Sequence, residues 1–198
     1  MTPNYNRAAA KAYQTLLALR ISALPIDPLM ILNKCKNTAV HTYEEVMPRF
    51  GVSDPQYFKS MVMERKDALT VRRDQGGRIV YEMLYDARAN PRRMRFTLAH
   101  ELGHILLNHR MEAPWEEREA DYFASQLLAP RPVCNVLAMY GFDTGNPAVI
   151  AAAFNLSQAA AEIAAGAPCH QPEPKIYHAV YDQFEEYVKS ISIMVKAV

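Results

Sequence analysis

Arg95-Phe96-Thr97-Leu98-Ala99-His100-Glu101-Leu102-Gly103-His104-Ile105-Leu106-Leu107 is the stretch on which this chain turns. It contains His-Glu-x-x-His, two imidazoles four residues apart with a carboxylate beside the first. Four residues of α-helix advance the side chains by roughly 40° net, so His100 and His104 share a face and can grip one metal ion. Glu101 lies about 60° around from His104, within reach of a water bound to that metal. A zinc hydrolase needs three protein ligands and an open position for water. The metal lowers the pKa of that water to about 7, and a glutamate takes its proton as it attacks a carbonyl. With six histidines in 198 residues, coincidence produces the pattern on the order of once in a hundred such chains.

The surrounding residues support a helix. Asn90-Pro91 pairs a good N-cap with proline at the first helical position, which predicts a helix to Asn108, with Thr97 as an alternative start. Phe96, Ala99, Leu102 and Leu106 recur at core-facing spacing. Gly103 costs about 1 kcal/mol of helix propensity, which implies a close neighbour at its missing side chain.

The third ligand has to come from elsewhere. A metzincin would place glycine three residues and histidine six residues beyond His104, where this chain has Leu107 and Arg110. His109 points to another face and reads as a surface or supporting residue. A following helix, from about Trp115 to Leu128, offers carboxylates instead. Glu117 and Asp121 are four apart, with Ala120 and Ala124 small enough beside them for close helix approach. Glu117 is the favoured ligand, Glu119 competes with it, and Glu116 reads as part of a solvated acidic face. Asp121 suits the imidazole N–H of a ligand histidine.

Arg95 to His104, followed by Glu117-x-x-Ala120-Asp121-x-Phe123-Ala124-x-x-Leu127-Leu128-x-Pro130, resembles the ImmA/IrrE family of metallopeptidases. The likeness covers residues 65–132 well and the remainder loosely. Ala129 stands where the family usually has methionine. The resemblance implies an α+β, gluzincin-like zinc peptidase, with active-site and glutamate helices on a small sheet and extra helices at both ends. It also implies a typical substrate, a helix-turn-helix (XRE-type) transcriptional repressor, cut once in phage, mobile-element or stress regulation. A competing expectation is a regulatory binding module on the same fold with little or no proteolysis. Against it, Glu101 and the ligand residues are all intact.

Upstream, two β-rich runs, 68–73 and 78–85, flank Asp74-Gln75-Gly76-Gly77 and read as a hairpin. An edge strand beside the catalytic helix can bind an extended peptide, and residues 78–85 are its expected source. Tyr81, Tyr85, His170, Tyr177 and His178 are candidate donors to the oxyanion. A helix over 6–20 capped by Asn6, a short helix after Asp27-Pro28, a strand within 37–43 and a capped start at Asp54-Pro55 complete the amino-terminal part. Later helices are expected over 147–154, 157–165 and 176–196. Residues 1–132 are expected to form the peptidase domain, with 133–198 a helical region packed on it.

Composition narrows the class. Half of the residues are hydrophobic and the net charge is +1, so no global attraction to nucleic acid or an anionic membrane arises. Residues 149–157 resemble part of a helix-turn-helix, but no lysine or arginine lies between Arg131 and Lys175, which argues against phosphate binding. The early apolar stretch 16–32 is interrupted by Arg20, Pro25, Asp27 and Pro28 and reads neither as a membrane span nor as a signal peptide. Three scattered cysteines, Cys35, Cys134 and Cys169, suit a reducing cytoplasm better than a disulfide framework. The adjacent Cys169 and His170 lack the partners of a metal site.

Overall fold

The computed structural model describes residues 2–64, 66–110, 113–166, 170 and 172–196. Cys169 lies outside them. Helix α1 (Tyr5–Ala18) starts at Asn4, whose side chain accepts from the Arg7 N–H. The cap is therefore Asn4 and not Asn6, because the helix begins two residues earlier than its apolar spacing suggested. Asp27 caps α2 (Pro28–Leu32), whose first residue is proline. Strand β1 (Thr38–Thr42) runs directly into α3 (Tyr43–Val46), where Thr42 and Glu45 form a reciprocal capping box. Asp54 caps the single turn α4 (Pro55–Tyr57).

The hairpin forms as its sequence predicts. Strands β2 (Ala68–Gln75) and β3 (Arg78–Tyr85) pair antiparallel, with Ala68 opposite Tyr85 and Gln75 opposite Arg78. The turn between them needs left-handed backbone at two positions, and Gly76 and Gly77 supply it with φ of 65° and 87°. Strand β1 joins β3 in parallel, giving the order β1-β3-β2. Because β3 is the middle strand, its backbone groups are taken on both sides. The edge strand expected from residues 78–85 is instead β2.

Helices α5 (Pro91–Leu106) and α6 (Pro114–Leu128) follow. Asn90 does cap α5, accepting from the Arg92 and Arg93 N–H groups, so the longer of the two expected helices is the one present. Its buried stripe is Met94, Leu98, Ala99, Leu102 and Ile105, while Phe96 and Leu106 are only half-buried. Helices α7 (Arg131–Met139), α8 (Pro147–Phe154), α9 (Gln158–Gly166) and α10 (Pro174–Lys196) close the chain. Asn155 turns the chain between α8 and α9 with a left-handed φ of 51°.

The main core gathers Tyr13 and Leu16 of α1, Leu102 of α5, Phe123 and Leu127 of α6, Val133, Phe154, Val180 and Phe184. Each such side chain contributes about 1.5–3 kcal/mol by leaving water. Polar ties pin α10 to the amino-terminal segment. The Gln183 amide donates to the carbonyls of Leu16 and Ile21, and the Tyr187 hydroxyl donates to that of Leu24. A smaller cluster, Tyr43, Val46, Met47, Phe58, Met63 and Leu84, packs around α3 and the sheet. Among the described residues no single helix is long and apolar enough to cross a membrane.

Candidate metal centre

Two helices bring the chemistry together, and a glycine sets their distance. A Cβ built on Gly103 would lie 3.0 Å from Phe123 Cδ1, 3.2 Å from Ala120 Cα and 3.3 Å from the Ala120 carbonyl. The absent side chain thus lets α6 approach α5 almost backbone to backbone. Ala113 has no acceptor with which to cap α6. Glu116 folds back instead and accepts from the N–H groups of Arg110 and Ala113. It is 3% exposed, so it is a buried cap and not the solvated carboxylate its neighbours suggested.

This packing places Glu117 against the two histidines. His100 Nε2 and His104 Nε2 are 2.9 Å apart. Glu117 Oε2 lies 3.3 Å from the first and its Oε1 3.4 Å from the second. Tetrahedral zinc with bonds of about 2.0–2.1 Å holds neighbouring donor atoms about 3.3–3.4 Å apart. Each Glu117 oxygen lies at about that spacing from one of the two nitrogens, and the histidine pair is somewhat tighter. Two imidazole nitrogens and a carboxylate oxygen are also the donor types such an ion takes. The residues present therefore fit a divalent metal.

The other ring nitrogens are engaged as well. His100 Nδ1 is 2.8 Å from Asp121 Oδ1, and His104 Nδ1 is 3.1 Å from His109 Nδ1. Burial works against protonating His100, but the bond to Asp121 and the negative charges of Asp121, Glu101 and Glu117 outweigh it and raise its pKa. Burial pushes His104 down to about 3, helped by the repulsion that His100 and His109 exert when they are protonated. Glu101 is raised, chiefly by burial, while Thr70, His100 and Lys66 pull the other way and Glu117 adds to the rise.

Two readings left open by the sequence narrow here. His109, read as a surface or supporting residue, is 6% exposed, which removes the surface reading. Glu119, the competing ligand, points away from the histidine pair. It is 1% exposed and accepts from the Asn4 N–H at 2.6 Å and from Arg7 Nη1 at 3.3 Å. A residue two positions from Glu117 leaves the helix about 200° around, so one residue faces the site and the other faces α1. The adjacency of Glu117 and Glu119 concealed that division, and nothing local marked Asn4 or Arg7.

A cleft of about 770 Å³ opens over the site, lined by His100, Glu101, His104, Glu117, Phe96 and every residue from Lys66 to Arg72. Consecutive strand residues point to opposite faces, so an unbroken run of lining residues means that β2 meets the cleft along its free edge. Of the oxyanion candidates, Tyr81 lines this cleft. The others are placed elsewhere. His170 packs on Tyr5 and Tyr122, Tyr177 is bonded by the Asn135 amide, His178 is exposed, and Tyr85 pairs with Thr42 and Ala68 across the sheet.

Comparison with curated proteins finds no match. The family model for the IrrE N-terminal-like domain matches residues 55–165, which takes in β2, β3, both site helices and most of α9. A helix bearing His-Glu-x-x-His, a glutamate from the next helix at metal-ligand distance and a match over more than half of the chain together place this protein in the M78 peptidase family, a family of metallopeptidases.

Proposed function

We propose that this protein is a zinc endopeptidase in which His100, His104 and Glu117 hold the ion, Glu101 is the general base and Asp121 orients His100. The observation that carries the reading is the convergence of two imidazole nitrogens and a carboxylate at ligand spacing on the floor of the cleft that also holds Glu101. When bound, the ion supplies Lewis acidity that polarises the scissile carbonyl and acidifies a water. The Glu101 carboxylate takes the proton from the attacking water and delivers it to the departing amine nitrogen. Its raised pKa suits a group that must both accept and release a proton. The free edge of β2 pairs with an extended substrate backbone, and the Tyr81 hydroxyl is the candidate donor to the developing oxyanion.

The substrate belongs to the same proposal. An edge strand beside the site favours a protein segment in extended form over a small molecule. The choice of a helix-turn-helix repressor rests on the family resemblance. A reducing cytoplasm suits Cys35 and Cys134, which are free thiols. The test is to incubate the full chain with zinc and a helix-turn-helix repressor of the XRE type, in parallel with Glu101→Gln. Cleavage at one position by the wild type alone supports the proposal. Stable binding with no cleavage by either protein overturns it in favour of a docking module.

A further inference from the structure

Behind His104 runs a buried polar chain that reaches the amino-terminal helix. His104 Nδ1 is 3.1 Å from His109 Nδ1, and His109 Nε2 is 3.2 Å from Glu119 Oε2. Glu119 accepts from the Asn4 backbone N–H and from Arg7, and Arg7 Nη2 also donates to the Leu107 carbonyl. The side chains of His109 and Glu119 are only 2% and 1% exposed.

The order of these groups fixes where the protons sit. Both oxygens of Glu119 accept from N–H donors of the amino-terminal segment, so Glu119 faces His109 as an acceptor. His109 must therefore present an N–H from Nε2. A neutral imidazole with its proton on Nε2 has only a lone pair at Nδ1. His104 must then donate from its own Nδ1, which leaves the lone pair on His104 Nε2, the atom facing His100 and Glu117. One carboxylate thus selects the His104 tautomer through an intervening ring. His100 has a shorter arrangement, with Asp121 directly at its Nδ1. The two supports differ in exposure: the Asp121 side chain is 58% exposed, whereas Glu119 is enclosed.

From this geometry we infer that His109 and Glu119 are positioning residues for the metal site, anchored by Asn4 and Arg7 of the amino-terminal segment. The inference rests on the reading of His104 as a ligand. It extends the functional site into residues that precede the matched span 55–165. Helix α1 is then more than a packing element, because it holds the carboxylate that orients a ligand 97 to 100 positions further along the chain. His109 acts through its contact with His104.

Zinc affinity measured by competition with a chromogenic chelator tests this without reference to turnover. His109→Phe keeps a planar ring but offers no acceptor, and its zinc affinity is expected to fall about 10–100-fold. His109→Gln can accept from His104 with Oε1 and donate to Glu119 with Nε2, so it should stay well within tenfold of wild type. Equal affinity in His109→Phe and wild type overturns the inference, as does an equal loss in both variants. If wild type itself binds no zinc, the ligand reading falls and takes this one with it, so the two failures are distinguishable. Nitrogen-15 NMR of the metal-free wild type at pH 8 supplies a check that needs no variant. The expected tautomers are Nδ1–H for His104 and Nε2–H for His109, and the reverse pair would overturn the assignment.

Discussion

Gly103→Ala sets two known effects against each other at the contact that builds the site. In an exposed helix the substitution would stabilise by about 1 kcal/mol, because alanine restricts the unfolded chain and suits the helix. Here the new methyl would meet Phe123 at 3.0 Å and the backbone of Ala120 at 3.2 and 3.3 Å. The Phe123 ring is fully buried, and the Ala120 Cα and carbonyl have no rotamer by which to yield. Overpacking of this kind costs about 1–3 kcal/mol. Set against that gain, the net expectation is a loss of about 0–2 kcal/mol, or up to roughly 8 °C in Tm for a domain of this size.

The strain has a second consequence. Ala120 lies one turn after Glu117 on α6, so relief by moving α6 outward carries Glu117 away from His100 and His104. Zinc affinity should fall together with stability. The assay pairs urea denaturation of the metal-free protein with chelator competition. A variant that is about 1 kcal/mol more stable, with unchanged zinc affinity, would refute the argument: propensity would have won, and the helix contact would be looser than the structure indicates.

Two further outcomes follow from the site and its surroundings. Glu117→Ala removes a donor atom, so its zinc affinity should drop by more than the roughly 10–100-fold loss expected when Glu119→Ala removes a supporting group; the opposite ranking in a chelator titration would make Glu119 the ligand. Asp86, whose side chain is 5% exposed, accepts from Lys59 at 2.9 Å and from the Arg88 N–H. Burial alone would raise its pKa, but these partners outweigh burial and hold it below the usual carboxylate value. A depressed folded-state pKa stabilises above the unfolded value of about 3.9 and is lost as pH falls through the folded one. Asp86→Asn should therefore destabilise by about 1–3 kcal/mol at pH 7, with the deficit shrinking as denaturation is followed below pH 4. A pH-independent deficit would count against an ionic role.

The sequence by itself determined the parts whose physics is local. His100, Glu101 and His104 lie within five residues, and helical spacing alone puts the two imidazoles on one face. The hairpin was legible because Gly76 and Gly77 supply the left-handed backbone its turn requires. The start of α5 was legible because Asn90 and Pro91 carry cap chemistry in two adjacent letters. Gly103 announced a close contact without naming the partner. Tertiary structure decided the rest. Which strand of the sheet offers its free edge depends on β1 pairing with β3 about forty residues away, and no pattern inside 68–85 encodes it. His109 stayed open as a surface or supporting imidazole and Glu119 as a competing ligand, because the groups that hold Glu119 are remote, with Asn4 lying 115 positions away. Burial changed their roles. In water either group would be satisfied by solvent, but packed between α1, α5 and α6 each must find its hydrogen-bond partner within the protein, and only the folded chain says which partner that is.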